Sequence, residues 1–306
     1  MKAAFDEADR LQIHSLVEDP EKWEQLIRTE IDRARADPAA YSMLESIYYE
    51  EDRARAFERF RQGAEFQRIQ RLLQLFGVTR DQRICEIGGG AGWLAWALFM
   101  SGYRSIELLE PNPCFITGTG YLRSREDSSE LRICNDIDAW YSEADSYDMI
   151  LTHNCVHHFR GIAHAAASIR QKIRPGGRWL MLREWFADDA LELYAQLRDH
   201  PYSQRYGVFE FPYPSSHYVE SLELAGFELK AVIPAAYANN VLGGYFEHEG
   251  GRIRRAATRA FDAVLQRAPA VSRRLYGIEL FANRYLSARA RIFTRPQAML
   301  FRRKEL

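Results

Sequence analysis

Lysine is nearly missing from this 306-residue chain: only five of its 41 basic residues are lysine, the rest arginine. Codon usage produces such a bias as readily as function does, so it names no partner. Cysteine is scarce as well. Cys85, Cys114, Cys134 and Cys155 form no CxxC pair and no zinc-ligand spacing, which excludes a disulfide scaffold and a structural zinc module. Three of the four lie in or beside apolar, strand-like runs, as buried thiols of a reducing compartment do. No apolar run is long enough to span a bilayer; the longest, GWLAWALFM, is nine residues. The opening MKAAFDEADRLQIH brings acids early and no apolar core, so no secretory signal is expected and a cytoplasmic location is. Excess charge is also absent. The net formal charge is −1, which argues against a generic nucleic-acid or membrane partner.

What charge there is falls unevenly. Residues 1–81 carry 13 Lys/Arg against 17 Asp/Glu, whereas residues 251–306 carry 14 against three. The acidic end alternates apolar and charged residues at helical spacing: in WEQLIRTEIDRARA, Trp23, Leu26, Ile27, Ile31 and Ala34 share one face. Two further stretches repeat that pattern, and Gly77 stops the third. Residues 1–80 are therefore expected to form a helical extension, either scaffolding or a cap over a site.

From Asp81 the period changes. Short apolar runs (RICEIGG, SIELLEPN, LRICND, YDMILTHN, GRWLMLREWF) alternate with helical stretches and show no hairpin signals, which implies a parallel sheet with helices on both faces. HYVESLELAGFELKAVI adds a helix and a strand, and QAMLFRR reads as a last strand. Residues 235–295 between these two are Arg-rich, helical in pattern and too long for a hairpin loop, hence an inserted helical subdomain. The expected organisation is a helical extension at 1–80, an α/β core at 81–234, an insertion at 235–295 and a returning strand at 296–306.

RICEIGGGAGWLAW, residues 83–96, holds four glycines in five positions between a strand and a helix. Glycines permit positive φ and close ligand approach, and the helix start offers free N–H groups. A dinucleotide's diphosphate would use those groups, but here Glu86 stands two residues before Gly88, with Gly90 and Gly92 following. A carboxylate there repels a diphosphate and attracts an ammonium group. Glu110, at the tip of the next strand, stands where a ribose diol is held by charge-assisted hydrogen bonds. Asp136 follows the third strand, where it can accept from an adenine amine with Ile137 packed on the base. Ammonium, ribose and adenine together describe S-adenosylmethionine.

On these residues, on YDMILTHNCVHHF and on IRPGGRWLM, the chain resembles the class I S-adenosylmethionine-dependent methyltransferases from about Asp81 to Ile233 and again over the final strand. The resemblance implies a Rossmann-like, seven-stranded, mostly parallel sheet. It also implies that Glu86 serves the methionine amino group through the loop and water, and that Gly88, Gly90 and Gly92 shape the loop. Glu110 would take the ribose, Asp136 the adenine amine, and His153 and Asn154 would lie beside the methionine and sulfonium end. S-adenosylhomocysteine would be the product.

A hydroxyl or carbon acceptor needs a base near neutral pH, and histidine is the usual one. THNCVHHF offers His153, His157 and His158; the last two are as well suited to packing or capping. Glu184, at the tip of the fifth strand, reaches the substrate side or else pairs with Arg183 or caps a helix. The aromatics Tyr206, Phe209, Phe211, Tyr213 and His217 form either a substrate lid or a packed loop. The Arg-rich insertion either meets a substrate phosphate or carboxylate from the side opposite the N-terminal helices, or pairs with their acids; membrane-surface association is the remaining alternative. The expectation is methylation of a small-molecule acceptor at oxygen, in a biosynthetic pathway. The alternatives are methylation at nitrogen or carbon, or a protein of this fold that binds S-adenosylmethionine without transferring methyl. No NPPY-type tetrad follows the fourth strand, so nucleic acid is not expected as substrate. A homodimer stays open.

Overall fold

The computed structural model describes residues 19–38, 41, 44–45, 48–144, 146–199, 211–234, 252–285 and 293–305. Their core is one seven-stranded sheet in the order β3-β2-β1-β4-β5-β7-β6. The strands are β1 (Ile84–Ile87), β2 (Ile106–Leu109), β3 (Arg132–Cys134), β4 (Tyr147–His153), β5 (Ile173–Leu182), β6 (Phe227–Ile233) and β7 (Ala298–Arg303). Only β7 runs antiparallel, slotted between β5 and β6. The first five strands are joined by crossovers with no hairpins, which is why their interior positions are apolar on both faces and β1 is buried throughout.

Among the described residues, the helices α1 (Pro20–Ala34), α2 (Arg53–Gln62) and α3 (Ala64–Leu75) precede the sheet. Asp19 and Asp52 cap the first two by accepting from Lys22 and Arg55 amides. Gly77, at φ +66°, ends the run after α3. The next helix, α4 (Trp93–Met100), is apolar on every side because α2 covers the face that solvent would otherwise meet; Phe57 packs edge-on to Trp96 at 5.4 Å. After the short turn α5 (Gly120–Arg123) come α6 (Ile137–Ser142), α7 (Ile162–Lys172), α8 (Ala190–Asp199) and α9 (Ser215–Leu224). One core face therefore joins the sheet to α2, α3 and α4, and the opposite face joins it to α7 and α9.

Within the insertion, α10 (Arg252–Arg267) and α11 (Ala270–Ala282) straddle the β6 edge. Leu265 of α10 is buried with the α3 side of the core, so this helix lies beside the N-terminal helices and not opposite them. Tyr276 of α11 is buried on the other face, and the Val232 amide donates to Ser272 Oγ at 3.0 Å. Arg295 pairs with Asp188 and Glu192, and Arg273 and Arg302 with Glu228, while Glu24 and Glu50 pair with Arg28 and Arg59 of their own region.

Candidate active site

β1 is the switch point of the sheet: the chain moves outward through β2 and β3, then returns to the other side of β1 with β4. Crevices at carboxyl ends of strands at such a point are where ligands of α/β sheets bind. Every acid singled out in the sequence ends there, Glu86 in β1, Glu110 after β2, Asp136 after β3 and Glu184 after β5.

Gly88, Gly90 and Gly92 all have positive φ, at +66°, +55° and +82°. At Gly92, the N-cap of α4, a Cβ would also stand 2.5 Å from Leu122 and 2.7 Å from Leu108, so both backbone and space require glycine. At Gly90 nothing lies closer to a would-be Cβ than the Thr117 carbonyl at 3.7 Å, which leaves the loop's outer side open to a ligand. Glu110 is buried and accepts the Gly90 and Asn112 amides at 2.8 and 2.9 Å. Burial lifts its carboxyl to about 7 against those two amides. Each carboxylate oxygen still has a lone pair for a further donor. Glu86 sits behind the loop, accepting the Ala95 amide of α4 at 2.8 Å, and burial, with the nearby Glu110 charge, lifts it to about 8. Asp136 caps α6 by accepting the Ala139 amide through Oδ1, and Ile137 is buried.

The tip of β4 holds an arrangement that spans the N-terminal helices and the sheet. His153 Nε2 lies 2.8 Å from Oε1 of Glu65, a residue of α3. Arg183, one residue past β5, donates to the same carboxylate at 3.2 Å, and the Tyr48 hydroxyl donates to Oε2 at 3.1 Å. All four side chains are buried. Burial alone would raise the Glu65 carboxyl, but Arg183, His153 and Tyr48 overcome it and hold the group down at about 2. The carboxylate is therefore an acceptor, which puts the hydrogen of a neutral His153 on Nε2 and its lone pair on Nδ1. Among the described residues, Tyr48, Asn154 and Arg183 are the non-glycine residues with positive φ, at 58°, 53° and 56°; two of them belong to this cluster and the third follows His153. Strained backbone gathers at such sites because the surrounding structure enforces it.

Glu184 faces the other way. Its oxygens accept the amides of Cys155, Val156 and His157 and lie 3.0 Å from His157 Nδ1, so it grips the loop after β4 from within. The reading that sends it to the substrate side is corrected by these four bonds and by its burial; Arg183, its neighbour, pairs with Glu65 instead. Burial raises its carboxyl, but His157 and the loop amides outweigh that and leave it below the ordinary value. His157 is buried, edge-on to Trp185 at 5.9 Å, and its ring lies 4.2 Å from that of the half-buried His158 at a 37° tilt. Phe211 donates its amide to the His157 carbonyl, and Tyr213 stacks on His217 at 4.5 Å, so this part of the aromatic segment packs against the loop. Tyr206 and Phe209 lie outside the described residues.

Tyr48, Glu65 and Arg183 were not among the sequence candidates. The only signal for Glu65 is its place on the buried face of an amphipathic helix, where a carboxylate without a partner would be costly.

Residues 54–232 match the family model described as a methyltransferase domain. The chain belongs to this family. The family's cofactor is S-adenosylmethionine. In this methyltransferase the glycine loop is open on its outer side, the buried Glu110 accepts one backbone amide on each oxygen, and Asp136 accepts the Ala139 amide through Oδ1. No curated protein matches the chain. Among solved structures it is similar to a Haemonchus contortus N-methyltransferase held with phosphomonomethylethanolamine and S-adenosylhomocysteine (14% identity, 78% of this chain and 52% of that one, TM-score 0.46). It is similar also to the 4+2 cyclase SpnF (17%, 79% and 82%, TM-score 0.46) and to mitomycin 7-O-methyltransferase (18%, 72% and 70%, TM-score 0.43).

Proposed function

We propose that this methyltransferase carries the methyl group of S-adenosylmethionine to a hydroxyl of a small-molecule acceptor, with His153 as the base. The observation that carries the reading is the Glu65–His153 pair at the tip of β4. When bound, the cofactor supplies an electrophilic methyl on a sulfonium and leaves as S-adenosylhomocysteine. Glu110 holds the ribose diol, Asp136 and Ile137 the adenine, and Asn154 lines the methionine end. Glu86 stabilises the loop from behind and acts on the ammonium group through it. Glu65 fixes the imidazole tautomer, so that Nδ1 takes the hydroxyl proton as the oxygen attacks, and the resulting imidazolium stays paired with an anion. No hydrogen bond occupies Nδ1 among the described residues. His157 stays a support of the loop, because its carboxylate partner is committed to three backbone amides.

The acceptor is small because α2 and α3 close over the β4 tip, which favours an enclosed site over a groove for a polymer. Four free cysteines suit a cytoplasmic enzyme of a biosynthetic pathway. An amine acceptor would need no such base, which separates the two chemistries. The test measures S-adenosylhomocysteine release over a panel of phenols, alcohols, carboxylic acids and amines. Hydroxyl acceptors should turn over, and His153→Asn should lower kcat by about 10²- to 10⁴-fold with cofactor affinity unchanged. Full turnover by His153→Asn, or turnover confined to amines, would overturn the proposal.

A further inference from the structure

The near-zero net charge conceals a skew: residues 251–306, which include α10 and α11, carry 14 Lys/Arg against three Asp/Glu. Within that basic stretch α11 has two unlike faces. Its inner face is fixed to the sheet. Ser272 Oγ accepts the Val232 amide at 3.0 Å, and the buried Tyr276 hydroxyl lies 3.3 Å from Ser215 Oγ. Glu279, the acid of α11, accepts the Phe293 and Thr294 amides at 2.8 Å each. The outer face runs through Arg274, Leu275, Ile278 and Phe281 at helical spacing and continues to Tyr285. A stripe turned to water is ordinarily polar, yet Leu275 is 38% exposed, Ile278 66%, and Phe281 and Tyr285 74% each. At Gly277, in the middle of the helix, a Cβ would meet nothing within 4 Å, so this side opens outward.

Cations border the stripe. Arg273 is neutralised by Glu228, and Arg295 by Asp188 and Glu192. Arg267, the last residue of α10, and Arg274 are exposed and enter no ion pair among the described residues. The pairing of Arg295 ties the segment after α11 to the start of α8, which itself exposes Leu191 and Tyr194. These features together select the partner. A nucleic-acid backbone would satisfy the arginines and leave the apolar stripe in water. A second copy of the chain would bring two surfaces of the same positive sign together. An anionic bilayer takes both at once, its headgroups meeting the arginines while the apolar side chains enter the acyl boundary. No described helix is long and apolar enough to cross a bilayer, so the contact lies on the surface.

We propose that the outer face of α11 docks the protein on an anionic lipid surface, with Leu275, Ile278, Phe281 and Tyr285 in the interface and Arg267 and Arg274 at the headgroups. The segment that follows α11 reaches the carboxyl ends of β5 and β6, where the Gln297 carbonyl accepts the Arg183 amide at 2.7 Å and the Gln297 amide donates to Ile233 at 2.8 Å. Docking through α11 therefore holds that end of the sheet beside the bilayer.

Vesicle flotation of the full chain tests the docking without turnover. The vesicles are phosphatidylcholine alone, or phosphatidylcholine with about one-third phosphatidylserine. Wild type should float with the anionic vesicles, should bind neutral ones far more weakly, and should detach as salt rises. Arg267→Glu/Arg274→Glu should weaken anionic binding by about 25-fold or more, since each cation near such a surface is worth roughly five-fold. Leu275→Ser/Ile278→Ser should weaken it about 100-fold, at roughly ten-fold for each apolar side chain withdrawn from water. All four side chains are exposed, so both variants should keep the wild-type urea midpoint. Wild type that stays off the anionic vesicles overturns the proposal with no variant needed. Equal binding to neutral and anionic vesicles, or anionic binding that both variants retain, overturns it as well. A concentration-dependent dimer in sedimentation velocity, lost in Leu275→Ser/Ile278→Ser and accompanied by no flotation, would overturn it in favour of a second copy.

Discussion

Replacing Glu65 with glutamine removes one charge from the cluster at the β4 tip and leaves Arg183 buried beside a neutral amide. The expected cost follows from the carboxyl itself. Burial raises it, Arg183, His153 and Tyr48 lower it further, and it ends at about 2 from an ordinary value of 4.5. At about 1.4 kcal/mol for each pH unit, that displacement is worth roughly 3 kcal/mol of stability at neutral pH. A second route gives a similar figure, since removing one member of a buried ion pair costs roughly 3–5 kcal/mol. The sign is fixed by the direction: the folded value is depressed, so the contribution is complete above about pH 4.5 and is lost as pH falls toward 2. Urea unfolding should therefore show Glu65→Gln less stable by about 3 kcal/mol at pH 7, with the gap closing between about pH 4.5 and pH 2. The double variant with Arg183→Met should lose less than the two single losses summed, because the charges fail together. A loss below about 1 kcal/mol at pH 7, or a gap that ignores acid, would refute the reasoning.

Glu86 carries the opposite sign. Its folded value is raised to about 8, so the stability it confers as a neutral acid is present at low pH and is lost as pH climbs through that value. Glu86→Gln, which cannot ionise, should gain on wild type by about 2 kcal/mol or more between pH 5.5 and pH 8.5 in cofactor-free unfolding; a constant difference would contradict the burial. Gly92→Ala, at φ +82° against Leu122 and Leu108, should cost roughly 2–4 kcal/mol and abolish cofactor binding. Gly77→Ala, at φ +66° with open space around it, should cost only about 1 kcal/mol.

The strand, glycine turn and helix that frame the candidate cofactor site were legible because they are built from consecutive local signals. A strand, a glycine turn and a helix start must adjoin in sequence for the loop to exist, and each acid after them sits at a strand end that alternation locates. The cluster at the β4 tip, proposed to face the acceptor, is assembled from distant segments. Glu65 meets His153 across 88 positions and Arg183 across 118, and nothing in an amphipathic helix marks which of its acids will be buried against a cation. Glu184 was placed on the right strand end but turned the wrong way, because orientation at a strand tip depends on which loop amides stand unpaired nearby. The length of residues 235–295 marks them as more than a hairpin loop, but not the straddling of the sheet edge by α10 and α11, which depends on which helix face meets β6.

That insertion begins and ends on neighbouring backbone. Ile233 and Ala298 face each other in the β6–β7 register, and the Gln297 amide donates to the Ile233 carbonyl at 2.8 Å. Residues 234–297 therefore occupy, in the wiring of the sheet, the place of a hairpin turn. Chain-closure entropy grows only with the logarithm of loop length, so a loop sixteen times longer than a four-residue turn costs about 2.5 kcal/mol more. A deficit of that size is within reach of the burial of Leu265 and Tyr276, at about 1.5–3 kcal/mol for each large side chain. The junction is thus a port: the sheet closes through the same hydrogen bonds whatever is threaded there, and segments of very different length can be exchanged at it with the glycine loop and the strand-end acids left in place.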